Sequence, residues 1–202
     1  KPINYIVLTI FLFLFYFTNL FFQLNGQKIN QVIPLELLLF AVLLFSVFII
    51  NQIVRTEKAT ESNSYAMLFF VLLIVTFSDE LVLQNVLFAN FFLLLAFWRI
   101  LSIKSTKNVK HKIFDASLLI AIASLFYDWA LAFMLLVFFV IGVYDRKTFK
   151  NWLVPLLGVG TIFILTFTVL KLKGSMNFFE DHYQFSLGLF TSKSFFQVLN
   201  IK

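Results

Sequence analysis

Long, uninterrupted apolar runs are the feature that most restricts how this chain can fold. A helix needs about 20 residues to cross about 30 Å of hydrocarbon, and the runs at residues 3–24, 33–54, 81–101 and 152–172 reach that length. Hydrophobic residues make up 61% of the chain and charged residues only 13%, whereas a soluble domain carries about 25% charged residues. We therefore expect an all-α, polytopic transmembrane helical bundle that occupies residues 1–172.

Three further apolar runs are shorter and leave the number of crossings open. They lie at residues 65–78, 113–126 and 129–144. The run 129–144 is only slightly short, whereas 65–78 and 113–126 are each a full span with little tilt, a span of a locally thinned bilayer or a re-entrant segment. Because the runs 65–78 and 81–101 together form one hairpin, the sequence predicts six to seven crossings, and we favour six.

Basic residues in the connections between the runs predict the orientation of the bundle. The connection that follows the 81–101 run contains no acidic residue and five basic ones, namely Arg99, Lys104, Lys107, Lys110 and Lys112. Cytoplasmic loops are enriched in Lys and Arg, so we place this connection and the N-terminus in the cytoplasm. The basic residues form no continuous stripe of the kind that binds nucleic acid. We expect membrane lipid and other membrane proteins as partners, and no nucleic acid.

The segment 173–202 is predicted to lie on the external side of the membrane. Aromatic and apolar residues alternate there with polar ones, so the segment is too interrupted to cross the bilayer but amphipathic enough to lie in its interface. It is either an interfacial tail or the lead-in to further spans.

Acidic residues gather on the predicted external side, where Glu36 also falls. Asp79, Glu80 and Asp128 follow two of the shorter runs and are the candidate catalytic residues, since carboxylates at a membrane face can act as general bases or relay protons. The alternative is that external loops look acidic only because they lack Lys and Arg. Asp115 lies near the cytoplasmic end of its run, where the dipole of a helix N-terminus is enough to explain a carboxylate.

Neighbouring acids in the tail form a candidate metal site. Glu180, Asp181 and His182 are consecutive and offer oxygen and imidazole ligands. The chain has no cysteine, which excludes thiolate metal sites and cysteine nucleophiles. It also has no Walker loop and no dinucleotide fingerprint, so we expect no cofactor.

A weak internal repeat covers the middle of the chain. Residues 65–112 and 113–150 each read as a short apolar helix, an acidic turn, a longer helix and a basic connection. Many transporters are built from repeats, but hairpins with short turns are also the simplest way to thread any polytopic protein.

Three stretches of the sequence form a recognisable pattern: NFFLLLAFWRIL from Asn90, KIFDASLLIAIASLFY from Lys112 and NWLVPLLG from Asn151. Together they resemble an uncharacterised multi-spanning inner-membrane family of Bacteroidota. The resemblance implies a multi-pass protein of the bacterial inner (cytoplasmic) membrane. Because family members tend to be longer, it also implies that further C-terminal spans are missing from this chain. It implies no activity, and Asp128 stands where the family pattern has an apolar residue or Pro.

These observations favour a non-catalytic integral membrane subunit or scaffold of a bacterial envelope complex over an enzyme. A glycan transferase or flippase-like protein that uses polyprenyl-linked donors and external carboxylates is the alternative. The layout is loosely similar to that of such transferases, which place a catalytic acid in a large first external loop, whereas the loop at residues 25–32 is short and contains no acid. A small-solute transporter is the second alternative.

Overall fold

The computed structural model of the chain describes residues 2–24, 29–57, 65–76, 84–104, 108–144, 149–174 and 177–183, and these residues form helices and short turns without any strand. The α-helices, numbered in chain order, are α1 (Pro2–Leu24), α2 (Ile29–Glu57), α3 (Tyr65–Thr76), α4 (Gln84–Leu101), α5 (Val109–Ser124), α6 (Met134–Tyr144), α7 (Phe149–Lys173) and α8 (Phe178–His182). A 3-10 segment at Ser102–Lys104 extends α4, and another at Asp128–Phe133 leads directly into α6. Each of the seven apolar runs thus contains a helix.

Three stretches of the described chain are long and apolar enough to cross a membrane, and this corrects the expected count of six. They are Pro34–Thr56, Gln84–Lys104 and Phe149–Lys173. The apolar stretches Tyr65–Thr76 and Asp128–Tyr144 are shorter, as is Tyr5–Phe21, which lies within the 23 residues of α1. For α3 the physical reason is length, since its 12 residues rise only about 18 Å along the helix axis.

The segment that begins at Asp128 reaches further than its residue count suggests. Its first six residues form a 3-10 helix, which rises about 2.0 Å per residue, and the 11 residues of α6 rise about 1.5 Å each. Together they extend about 28 Å, which is close to the thickness of the hydrocarbon layer. The larger rise per residue of the 3-10 helix therefore compensates for the small number of residues in this run.

Two apolar cores lie along the bundle, and α4 contributes to both. The first joins α1, α2, α3 and the start of α4, and includes Leu12, Leu39, Leu43, Val71 and Leu87. The second joins the end of α4 to α5 and α6, and includes Ala96, Ile100, Ile113, Ile120, Val137 and Ile141. Because α4 packs into both cores, it connects the N-terminal and C-terminal halves of the bundle.

Small residues bring α5 and α7 into close contact. A Cβ atom on Gly158 would overlap the Ser117 hydroxyl, and it would lie 3.0 Å from Ser117 Cβ and 3.1 Å from the carbonyl oxygen of Phe114. Small residues at helix interfaces allow this approach in membrane bundles. Further along both helices, Phe163 of α7 lies 5.4 Å from the ring of Tyr183, whose hydroxyl contacts Ser124 at the end of α5. The two helices therefore run in the same direction.

Candidate functional site at the junction of α5 and α8

Beyond the end of α7 the chain folds back, so that α8 packs against α7. The reversal begins at Gly174, whose φ of 69° lies in the left-handed region that favours glycine. The ring of Phe179 then stacks on Phe163 at 6.1 Å and lies 6.4 Å from Phe167. These aromatic contacts hold α8 beside the C-terminal half of α7. They bring the last residues of α8 to the end of α5.

Three polar residues, Ser124, His182 and Tyr183, contact one another where α8 reaches α5. Together with Asp128, which follows Ser124 by four residues, we call them the junction site. His182 Nε2 lies 2.8 Å from the carbonyl oxygen of Ser124. Since a carbonyl only accepts hydrogen bonds, Nε2 must carry a proton, and in the neutral ring the lone pair is on Nδ1. The hydroxyl oxygens of Ser124 and Tyr183 lie 3.3 Å apart. The imidazole also stacks on Phe178 at 4.7 Å.

Asp128 joins this group through its charge. It begins the 3-10 segment, where its Oδ1 accepts the backbone N–H of Trp129 at 2.9 Å. Burial raises the pKa of Tyr183 above its ordinary value, the contact with the Ser124 hydroxyl lowers that pKa in part, and the negative charge of Asp128 raises it. The phenol therefore stays protonated and is available as a hydrogen-bond donor at neutral pH.

The junction site unites residues from two groups that the sequence predicts separately. Asp128 is a predicted catalytic carboxylate and His182 a predicted metal ligand, and both lie at this end of the bundle. Asp79 and Glu80 lie outside the described residues, so their convergence with Asp128 stays a prediction. Ser124 belongs to a row of small residues at the end of α5, which indicates a close contact there, but nothing in the sequence pattern marks Tyr183. The role of both residues depends on where α8 docks.

The predicted metal site stays a prediction. Within the residues that the structure describes, no three His, Asp or Glu side chains come together in a way that could hold a metal ion. The side chains of Glu180 and Asp181 lie outside that description. Their positions and that of His182 are consecutive on α8, and consecutive positions are about 100° apart around a helix. His182 also uses Nε2 to contact Ser124, so Nδ1 is the atom that could ligate a metal.

Glu36 lies inside a helix and contacts another. It is part of α2, where its Oε2 accepts a hydrogen bond of 2.6 Å from the hydroxyl of Tyr16 in α1. Tyr16 is only 5% exposed. A carboxyl group in an apolar helix is expensive unless a partner satisfies it, and the phenol supplies that partner. The pair joins α1 to α2.

Asp115 is held by an ion pair, which corrects the expectation that a helix dipole explains it. It is the seventh residue of α5, whose first turn contains no acidic residue. Its Oδ2 lies 3.4 Å from Nε of Arg99 in α4, and the two side chains are 41% and 54% exposed. The dipole acts mainly within the first turn, so the neighbouring guanidinium is the stronger stabilising influence.

Comparison with known proteins matches residues 3–201 to a family of unknown function, DUF6427. No curated protein and no solved structure matches the chain. The match covers nearly all of the chain and assigns no activity to it.

Proposed function

We propose that this chain, which belongs to the DUF6427 family, is a multi-pass protein of the bacterial inner membrane and serves as a non-catalytic subunit or scaffold of an envelope complex. One observation carries the proposal: polar side chains in the bundle are engaged with neighbouring helices of the same chain. Tyr16 binds Glu36, and Tyr5 binds Asn51. Such contacts fix how helices pack, whereas a catalytic group must remain accessible to its substrate.

The uncovered face of α7 supports a role in assembly. Of the three stretches that are long enough to cross a membrane, α7 is the least covered, since only 17% of its apolar window is buried inside the chain. Its large exposed apolar side chains are Phe149, Leu153, Leu156, Leu157, Ile164, Leu165, Phe167, Val169 and Leu172. Lipid can cover such a face, but an uncovered, apolar helix at the edge of a bundle is also the surface on which a helix of another protein would pack.

The charge distribution supports the proposed orientation. Because α5 and α7 run in the same direction, Lys110 and Lys112 at the start of α5 lie at the same end of the bundle as Lys150 at the start of α7. Under the positive-inside rule this end faces the cytoplasm. An N-terminus inside and a tail outside require an odd number of crossings, which differs from the expected six. This orientation therefore corresponds to seven crossings by α1–α7, in which short helices such as α3 cross a locally thinned bilayer.

Site-specific photocrosslinking tests the subunit proposal. A photoreactive side chain replaces Leu157 on α7, and a matched one replaces Phe48 on α2; these side chains are 64% and 60% exposed. After irradiation of native membranes, we expect one discrete protein adduct of defined mass at Leu157, identified by mass spectrometry, and chiefly lipid adducts at Phe48. Lipid adducts alone at both positions, together with a monomeric mass in mild detergent, would contradict a subunit role.

The junction site favours a second candidate, a protein that acts on polyprenyl-linked glycans at the external face. Asp128 influences Tyr183 electrostatically, and Tyr183 and His182 both contact Ser124, so a carboxylate, a phenol and an imidazole gather at one end of the bundle. Replacement of Asp128, Asp79 and Glu80 by Asn tests this candidate. Loss of an envelope glycan with an unchanged amount of protein would support it, and a normal glycan profile would exclude acid-dependent chemistry.

A further inference from the structure

An open groove of about 400 Å³ lies between α4 and α5. It is lined by Leu95, Trp98, Arg99, Ser102 and Leu119. Trp98, Arg99 and Ser102 follow Leu95 by three, four and seven residues, so the four lie on one face of α4 and its 3-10 extension. Leu119 closes the groove from the side of α5. The groove is thus formed between two helices of the bundle.

One end of the groove carries positive charge. The Arg99 guanidinium is 54% exposed and contacts Asp115 through Nε at 3.4 Å. Lys112 donates a hydrogen bond of 2.7 Å from Nζ to the carbonyl oxygen of Ser102, which places a second cation at the same rim. Two cations against one carboxylate leave this rim positive.

The rest of the lining is apolar. Leu95 lies one turn before Arg99 on α4, and Leu119 lies one turn after Asp115 on α5. The stretch Gln84–Lys104 is long and apolar enough to cross a membrane, and Arg99 and Ser102 lie near its end. The groove therefore passes from the level of lipid headgroups toward the level of acyl chains. Its occupant should combine an anionic group with a hydrocarbon chain.

We propose that this groove binds an anionic phospholipid, with the phosphate at Arg99 and an acyl chain along Leu95 and Leu119. A guanidinium presents planar donors that suit phosphate oxygens, and basic pockets between membrane helices are known to take acidic headgroups. Asp115 positions the guanidinium at the rim. The indole of Trp98 is amphipathic and suits the boundary between headgroups and hydrocarbon.

Native mass spectrometry of the full chain in mild detergent tests the proposal, with dioleoyl phosphatidylglycerol as the anionic probe and dioleoyl phosphatidylcholine as the zwitterionic one. We expect the wild type to retain phosphatidylglycerol in preference to phosphatidylcholine. Arg99→Gln should weaken phosphatidylglycerol binding about tenfold, as expected for loss of a charged hydrogen bond. Lys150→Gln removes the same charge at the start of α7, outside the groove lining. It should change binding less than about twofold, because salt screens a charge that does not contact the lipid.

A second variant keeps the test decisive if Arg99→Gln folds poorly. Leu95→Trp fills the groove without any change of charge, and it should reduce phosphatidylglycerol retention while Arg99 remains in place. Equal losses in Lys150→Gln and Arg99→Gln, unaltered retention in Leu95→Trp, or equal binding of the two lipids would overturn the proposal. The outcome is independent of the subunit proposal, because the photocrosslinking experiment reports on the outer face of α7 and not on this groove.

Discussion

Hydrogen-bonded pairs of polar residues fix how α1 lies against α2. Tyr16 donates to Glu36, and Tyr5, more than three turns away along α1, donates to Asn51 Oδ1 at 3.0 Å. Arg55 Nη2 in turn donates to the Tyr5 hydroxyl at 2.9 Å. Because the two contacts are far apart along α1, a rotation or shift of either helix would break both. Polar contacts of this kind select one register where apolar packing alone would allow several.

The close approach at Gly158 predicts a large effect from one methyl group. Gly158→Ala should destabilise the bundle by about 1–3 kcal/mol, the usual cost of overpacking. Rotation of the Ser117 hydroxyl relieves only part of the overlap, because Ser117 Cβ and the Phe114 carbonyl oxygen would still lie 3.0 and 3.1 Å from the new methyl group. The thermal unfolding midpoint in detergent measures the effect.

Gly160→Ala is the matched control for this prediction. It makes the same change in the same helix, but among the described residues no atom beyond the adjoining backbone of α7 lies within 4 Å of the added Cβ. Replacing a helical Gly by Ala should then leave stability unchanged or raise it by up to about 1 kcal/mol. Equal midpoints for the two variants would show that α5 and α7 do not touch at Gly158.

Tyr183 should titrate above its ordinary pKa of about 10, since burial and the charge of Asp128 both raise its pKa. Its pKa is then higher in the folded than in the unfolded state, so its contribution to stability is complete below pH of about 10 and is lost as the pH rises through the folded pKa. The difference in tyrosinate absorbance between wild type and Tyr183→Phe measures the midpoint. Asp128→Asn should lower this midpoint, and a wild-type midpoint at or below the ordinary value would refute the burial of this phenol.

Helix α5 shows why hydropathy alone does not reveal that a helix is central in a bundle. Seven of its 16 residues are buried, and several of these are Ala or Ser. A helix that packs against neighbours on several sides needs small residues for close contact more than it needs large apolar ones for lipid. The apolar run therefore locates α5 in the sequence, but it does not reveal that α5 lies at the centre of the C-terminal half.

Docking of α8 should depend on Phe179, which contacts the rings of Phe163 and Phe167 in α7. Phe179→Ala should release α8 and increase trypsin cleavage after Lys173 several-fold, as read by mass spectrometry, because an undocked segment exposes the adjoining backbone. Phe178→Ala is the matched control, since the ring contacts of Phe178 are with Phe179 and His182 of α8 itself. A similar increase in both variants would contradict a specific role for the α7 contacts.

The positions of the helices along the chain could be predicted from the sequence, whereas the way in which the helices contact one another could not. Apolar runs must become helices in lipid because every backbone polar group needs a partner within the segment. The number of crossings depends on the lengths of the helices, which the length of an apolar run only approximates. A hydropathy profile also does not reveal the 3-10 segment that precedes α6. The junction site shows the same limit. Asp128 and His182 stand out by residue type, but Ser124 and Tyr183 matter only because the chain reverses at Gly174.

Cysteine labelling can show whether the bundle crosses the membrane with its basic end in the cytoplasm. The chain has no cysteine, so Lys110→Cys at the start of α5 and Lys173→Cys at the end of α7 each introduce a unique label site, and both native side chains are exposed. Labelling with a membrane-impermeant maleimide is compared before and after the inner membrane is opened. We predict that Lys173→Cys reacts in intact spheroplasts and Lys110→Cys only after lysis. Reaction of both cysteines from the same side would contradict this orientation of the bundle.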